Sequence, residues 1–439
     1  MNPRPKPPAT GPAGRPAAAG RVPDASWRAA YLLLAPHRLG FFLAMVVLIA
    51  AGAWWAVVQF DRMTGMLGLP YVMSPSLVHG TVMAFGFIPL FFSGFLFTAG
   101  PKWLDVPPLP IERLLGPMML QASGWLLWLA AVHLNAALAL GALMLAGSGL
   151  AWMTLLFWQL VRQSGAGDQL HARTVGLACV VGCLCLAGLA ASLATGALDL
   201  ALAFVLTGVW GFLLVVYVSV AHRMIPFFTA SAVPMMQAWR PFWLLWFMLG
   251  VAAFEMLAVW LELAGVGRAD STRLWPLFRG LIELAAGGFL VWLALAWGLV
   301  KSLKNRLLAM LHIGFSWLGL ALLLGAVAQI QGWAQGSTVL GLAQLHALTM
   351  GCLASLMLAM VTRVSCGHSG RALVANQLVW TLFWLLQLAT LLRIVGAAQS
   401  AWAGWLLLAA AALWLAVMTL WGLRLANWYG RLRADGRPG

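Results

Sequence analysis

Long apolar runs, separated by short polar segments, make up most of the chain. The runs are continuous and lack the alternation of apolar and polar residues that marks a membrane β-strand. A backbone in hydrocarbon must satisfy its own hydrogen bonds, and runs of about 20 residues do so as helices. The pattern predicts an all-α, polytopic integral membrane protein with about twelve transmembrane helices. The predicted spans are residues 39–60, 72–99, 115–133, 136–161, 174–195, 198–221, 241–264, 277–301, 307–329, 338–362, 371–396 and 400–426.

The polar flanks define the predicted domain organisation. Residues 1–38 include a stretch rich in Pro, Ala, Gly and Arg without an apolar core, which predicts a disordered cytoplasmic tail. Residues 39–426 form one twelve-helix domain, and residues 427–439 form a short basic tail. The second span contains Pro75 and Pro89, so we expect it to be tilted or kinked.

Composition agrees with this pattern and excludes a water-soluble fold. Apolar residues make up 63% of the chain and charged residues only 8%, whereas soluble domains carry about 25% charged residues. The net charge of +15 does not indicate nucleic-acid binding, because the basic residues are spread over short loops. Of the 26 Lys and Arg residues, 21 fall on the side of the predicted bundle that carries the termini. This bias predicts cytoplasmic termini and an even number of spans.

Histidines at membrane depth are the first functional candidates, because buried ionisable residues are costly and imidazole binds heme iron and copper. Counted along their helices, His79 and His346 lie at the same depth in the outer half within one helical turn. Such a pair predicts the two axial ligands of heme b. The alternative interpretation is that each histidine is a hydrogen-bonded packing residue.

An inner layer of histidines lies roughly 15–20 Å from the outer pair by helical rise. His222 is predicted to end the sixth span, His312 lies in the inner half of the ninth, and His368 follows the tenth. Three converging imidazoles predict a copper site. Taken singly, His222 and His368 are also typical of ordinary interfacial residues. His37, His133 and His171 lie at span edges or in loops and are interpreted as structural.

Acidic and basic residues share the outer half with the first histidine pair. Glu255 and Glu262 lie on one face of the seventh span, and Glu283 lies on the eighth. Arg279 and Arg393 are at the same level. These residues predict either a proton route, with the two arginines pairing heme propionates, or Glu–Arg pairs that fix helix packing. Cys179, Cys183 and Cys185 are weaker candidates for copper ligands.

Six segments resemble the NnrS family of nitric-oxide-response membrane proteins, and they occur in the family's order. They are residues 79–87, 94–103, 223–229, 311–318, 345–351 and 360–371. The resemblance implies a twelve-helix protein of the bacterial inner membrane that contains heme and copper and relieves nitric oxide stress. The matched positions that carry over are His79, Arg223, His312, His346, Arg363, His368 and Arg371. His222 is added from its depth and its place beside Arg223.

One departure from the family lies in the first motif. Where many relatives carry a second histidine and a glutamate, this chain has Thr81 and Val82. The departure implies altered metal content.

Three functions follow from these observations. The first is a heme/copper protein that binds or reduces nitric oxide, with a quinol or other electron donor if it is an oxidoreductase. The second is a proton-coupled secondary transporter, favoured by twelve spans, buried acids and a faint repeat between residues 79–83 and 346–350. The third is a non-catalytic heme or copper sensor or assembly factor.

Overall fold

The computed structural model describes residues 26–267, 273–336, 340–398 and 401–436. Within these ranges the regular elements are helices, and twelve of them are long and apolar enough to cross a membrane. The prediction of an all-α protein with twelve spans is therefore confirmed. In chain order they are α1 (Pro36–Thr64), α2 (Pro75–Leu104), α3 (Ile111–Ala131), α4 (Ala136–Gln163), α5 (Leu170–Thr195), α6 (Leu198–Ala232), α7 (Phe242–Leu263), α8 (Trp275–Ala296), α9 (Arg306–Gln335), α10 (Ala343–His368), α11 (Gln377–Val395) and α12 (Ala403–Tyr429).

Helices α6 and α10 extend far enough past their predicted spans to change the setting of a candidate histidine. Helix α6 continues to Ala232, so His222 lies inside the helix and not at its end. Helix α10 includes His368 as its last residue, so this histidine is not in a loop. The arginines that follow the apolar runs do not stop the helices. Arg223 and Arg363 stack on aromatic rings, which lets them stay charged within a helix.

Helix α2 is interrupted, as its prolines predict. It consists of Pro75–Phe85 and Ile88–Leu104 with a break at residues 86–87. Pro89 has no N–H to donate to the carbonyl of Phe85, which removes a hydrogen bond at this point. Helices α6 and α10 are irregular in another way, since each contains a π-helical segment, Gly208–Leu214 and Ala347–Ala354. Such segments occur frequently at functional sites.

Four helices form the centre of the bundle. In the most apolar stretch of α2, α6, α9 and α10, 67–72% of residues are buried, against at most 56% in the other eight helices. These four helices carry all five of the histidines predicted to bind a cofactor or metal. The remaining helices surround them and present large apolar side chains on their outer faces.

Both described termini lie at one end of the bundle, here called the inner end. The N–H of Arg28 donates to the carbonyl of Gly430 at 2.8 Å. The guanidinium of Arg38 donates to the carbonyls of Tyr429 and Arg431 at 3.2 and 2.7 Å. That this end faces the cytoplasm stays a prediction from the charge bias.

Helices α8 and α9 touch backbone to backbone at two glycines. A Cβ on Gly287 would lie 2.8 Å from the carbonyl oxygen of Gly319, and one on Gly319 would lie 2.7 Å from that of Gly287. Small residues permit this approach, which is a common way for helices to associate in lipid. The contact matters for the site because α8 carries Arg279 and Glu283.

We expect Gly287→Ala to lower stability by about 1–3 kcal/mol, the usual range for an overpacked contact, because backbone atoms cannot move aside. Gly288→Ala is the matched control, since Gly288 is the next residue and a Cβ there meets nothing within 4 Å. The measurement is the midpoint of thermal unfolding in detergent. Equal midpoints for the two variants would contradict the close contact.

Candidate functional site

The outer pair of histidines is brought together by two central helices. His79 of α2 and His346 of α10 lie within electrostatic range of each other and of Arg393 on α11. Trp55 of α1 stacks on the ring of His79, with ring centroids 3.8 Å apart and an interplanar angle of 14°. The guanidinium of Arg62 lies 5.2 Å from the Trp55 ring centroid. Sequence reasoning missed Trp55 and Arg62.

The hydrogen bond of His346 fixes which of its ring nitrogens is free. Its Nδ1 lies 2.9 Å from the carbonyl oxygen of Leu342. A carbonyl only accepts, so in the neutral ring Nδ1 carries the hydrogen and Nε2 keeps its lone pair. In His79, Nδ1 is buried and has no partner among the described residues. Nε2 of His346 and Nδ1 of His79 therefore accept no hydrogen bond from the described part of the protein.

Two further polar atoms, one on α11 and one on α2, have no partner within the described part of the chain. One is Nη1 of Arg393, which is buried beside the histidine pair. The other is Oγ1 of Thr81. Other hydroxyls of α2 do bond to carbonyls four residues back, as Ser93 and Thr98 do at 2.8 Å. An unpartnered hydroxyl at zero exposure is thus unusual within this helix.

The three inner histidines are not brought together. His222 contacts His171 and Pro241, and His312 contacts Thr229. His368 packs on His37, with ring centroids 4.4 Å apart. Among the described residues, no group of three or more His, Cys, Asp or Glu side chains is placed to hold a metal ion. The sequence predicted the depth of these histidines along their helices but not their positions within the membrane plane. Their different positions in that plane keep His222, His312 and His368 apart.

His171 and His222 form a chain of hydrogen bonds that ends on a backbone carbonyl. Nε2 of His222 donates to the oxygen of Pro241 at 3.1 Å, so its Nδ1 accepts from Nε2 of His171 at 3.1 Å. The remaining Nδ1 of His171 keeps its lone pair and is buried without a partner. His171 had been interpreted as structural. Its place at the start of α5, level with His222, was the available signal.

His312 has the same arrangement with a hydroxyl. Thr229 uses its only hydrogen to donate to Ile225, so its Oγ1 must accept from Nε2 of His312 at 2.9 Å. Nδ1 of His312 is then a buried acceptor with no partner in the described chain. By contrast, His133 is saturated, because Trp54 donates to its Nε2 and its Nδ1 donates to Pro70, both at 2.8 Å.

The three arginines of the family motifs all stack on aromatic side chains. The Cζ of Arg223 lies 5.2 Å from the Trp103 ring, that of Arg363 lies 3.9 Å from Phe228, and that of Arg371 lies 4.5 Å from Trp428. Cation–π contacts of this kind hold a guanidinium in an apolar setting. These arginines line the inner side of the bundle and are not close to the outer histidine pair.

The outer glutamates surround a single arginine. Nε of Arg279 donates to Glu283 at 3.0 Å, Nη1 to Glu262 at 2.6 Å, and Nη2 to Glu255 at 2.7 Å. Every nitrogen of this guanidinium is engaged, so the geometry favours the ion-pair interpretation of Arg279 over pairing with a propionate. One oxygen each of Glu255 and Glu283 is buried without a partner. These oxygens are available to a proton, and the proton route stays a prediction.

An apolar cavity of about 70 Å³ lies among α1, α2, α6, α9 and α10. Its walls include Phe41, Phe91, Tyr217, Met224 and Met360. It is separated from the level of His79 by roughly 20 Å of helical rise. The cavity is too small for a porphyrin, but it has room for a few water-sized molecules.

We expect Arg279→Met to destabilise the protein by about 3–5 kcal/mol, because it leaves buried carboxylates without their cation. Glu262→Gln is the control, since its side chain is 36% exposed and its amide oxygen still accepts from Arg279. Thermal unfolding in detergent measures both. An Arg279→Met variant with the midpoint of the unchanged protein would contradict the central role of this cation.

Comparison with known proteins adds one finding. The model of the family described as NnrS protein matches residues 31–433, nearly the whole chain. No curated protein matches the sequence. The matched range includes all twelve helices and every candidate site residue named above. The chain therefore belongs to the NnrS family.

Proposed function

We propose that the protein is a membrane metalloprotein of the nitric oxide response, in which His79 and His346 hold the iron of heme b. The observation that carries this proposal is the outer pair itself. Two imidazoles from two central helices lie within electrostatic range of each other, and an arginine with a free donor among the described residues lies within the same range. Membership in the NnrS family supports the same conclusion, because the family is associated with heme, copper and nitric oxide.

The residues present fit a porphyrin in three respects. His346 has its Nδ1–H fixed on Leu342, which leaves Nε2 as a ligand and is the usual arrangement of metal-bound histidines. His79 has no protein partner for its buried Nδ1. Arg393 has a buried Nη1 that would pair a propionate, which Arg279 cannot do while three glutamates occupy it.

When bound, heme would supply iron chemistry that responds to nitric oxide, which requires one of the two imidazoles to give up its place on the iron. The chain's own contribution is to orient the ligands, exclude bulk water and admit a small neutral molecule. Trp55 stacks on His79 and limits rotation of the ring. The apolar cavity at the inner side shows that the bundle leaves space for small uncharged molecules. Reduction of nitric oxide would in addition need an electron donor such as a quinol.

The described residues do not fit the predicted three-histidine copper site. They offer imidazole pairs, His171 with His222 and His37 with His368, each supported by other contacts. Copper therefore remains an expectation from the family, and no chemical step is assigned to it.

Purified His79→Ala and His346→Ala variants are expected to lose stoichiometric heme, because each removes one of the two side chains that would hold the iron. The pyridine hemochrome spectrum and iron content measure this. Arg393→Gln is expected to weaken cofactor retention about tenfold, as loss of a supporting group commonly does. His133→Ala is the matched control, since this outer histidine is saturated by Trp54 and Pro70 and should keep its heme. Full heme content in both single-histidine variants would overturn the assignment.

Binding of nitric oxide is tested separately on the purified protein. Anaerobic addition of nitric oxide should shift the visible absorption spectrum of the unchanged protein and of His133→Ala, but not of the two heme-deficient variants. Consumption of nitric oxide with a reduced quinol analogue would identify an oxidoreductase. A shift without turnover would identify a binding or sensing protein. If nitric oxide causes no shift in a heme-loaded protein, the proposed ligand is wrong.

A further inference from the structure

Two arginines stack on one tryptophan at the inner end, and a third lies nearby, on the opposite side of the bundle from the outer histidine pair. The Cζ of Arg371 lies 4.5 Å from the Trp428 ring centroid, and the Cζ of Arg424 lies 5.0 Å from it. Arg431 follows Trp428 by three residues, and its charge and that of Arg424 lie within electrostatic range of Arg371. Burial lowers the pKa of Arg371, and the charges of Arg431 and Arg424 act in the same direction.

Each of these arginines has a buried donor with nothing to bind. Nη1 of Arg371, Nε of Arg424 and Nε of Arg431 have no hydrogen-bond partner in the described part of the chain. Two neighbouring basic residues are, by contrast, occupied. Arg38 donates to backbone carbonyls, and Arg433 forms two bonds with Asp435 at 2.9 and 2.7 Å. Like charges with unpaired donors repel one another and attract an anion.

The surface below the arginines is apolar. Leu420, Arg424 and Trp428 are spaced four residues apart on α12 and therefore share one face. Leu420 is 51% exposed, and the neighbouring Leu423 is 59% exposed. An exposed apolar strip that leads up to a cluster of arginines suits an amphiphile, with acyl chains on the leucines and an anionic headgroup above.

We propose that Arg371, Arg424 and Arg431 bind the phosphate group of an anionic phospholipid in the leaflet at the inner end. Basic pockets between helices on the cytoplasmic side are known to recognise such headgroups. The site is independent of the heme proposal, because it lies at the opposite side of the membrane from His79 and His346. An inorganic phosphate ion shares the headgroup's chemistry but would make no use of the leucine strip.

The test uses the full-length protein purified in a neutral detergent, with phosphatidylglycerol and phosphatidylcholine as probes. Native mass spectrometry measures how much of each lipid stays bound. We expect the unchanged protein to prefer phosphatidylglycerol. The ratio of bound phosphatidylglycerol to bound phosphatidylcholine should fall about fivefold in Arg371→Gln, about fivefold in Arg424→Gln, and further in the variant that carries both changes. One basic residue near the surface contributes about 1 kcal/mol, which corresponds to about fivefold.

Two controls separate this site from a general effect of charge or of folding. Arg306→Gln removes a single inner-end arginine whose Cζ lies 5.7 Å from the Trp380 ring, and should leave the preference unchanged. The double variant Arg371→Lys with Arg424→Lys keeps both positive charges and should retain most of the preference for phosphatidylglycerol. Equal preference in the unchanged protein and in the double glutamine variant would overturn the site. Thermal stabilisation by inorganic phosphate, with no preference between lipids, would overturn the lipid as its ligand.

Discussion

A polar group inside a membrane bundle is costly unless another group satisfies it, and the rest of this structure depends on that constraint. It requires the backbone to form twelve helices. It also decides where polar side chains lie, because the four most buried helices carry all five candidate histidines. The peripheral helices present apolar side chains outward and hold the central four in place. The candidate histidines and the packed centre of the bundle therefore coincide.

The partners that satisfy the histidines also determine what they can do. The carbonyls of Leu342 and Pro241 only accept, and the hydroxyl of Thr229 has already donated its hydrogen. Each therefore receives an N–H from its histidine and leaves the other ring nitrogen as a lone pair. In His312 that lone pair is buried without a partner in the described chain, and so is the lone pair of His171, which donates its N–H to His222. A histidine that served packing alone would be saturated on both sides, as His133 is.

Sequence reasoning succeeded wherever a distance along a helix was sufficient. The number of spans and the break near Pro89 follow from hydropathy and proline chemistry. The common depth of His79 and His346 stays a prediction from the rise per residue. Sequence reasoning failed where lateral position mattered. His222, His312 and His368 lie near the inner side, yet each contacts a different partner. The rise per residue gives only the depth of a residue in the membrane, and it does not give its position within the membrane plane. His37 and His171 were missed for the same reason, since their partners lie on other helices.

The two outer arginines show that some lateral information was present in the sequence. Glu283 follows Arg279 by four residues, a spacing that puts both side chains on one face of a helix, and the structure pairs them. No acid lies within one turn of Arg393 on α11. The presence of an acid four residues from Arg279, and its absence near Arg393, thus distinguishes the arginine that carboxylates hold from the other one. Arg279 and Arg393 therefore have different chemistry, and of these two it is Arg393 that keeps a buried donor, unpartnered among the described residues, for an anionic group brought to the imidazole pair.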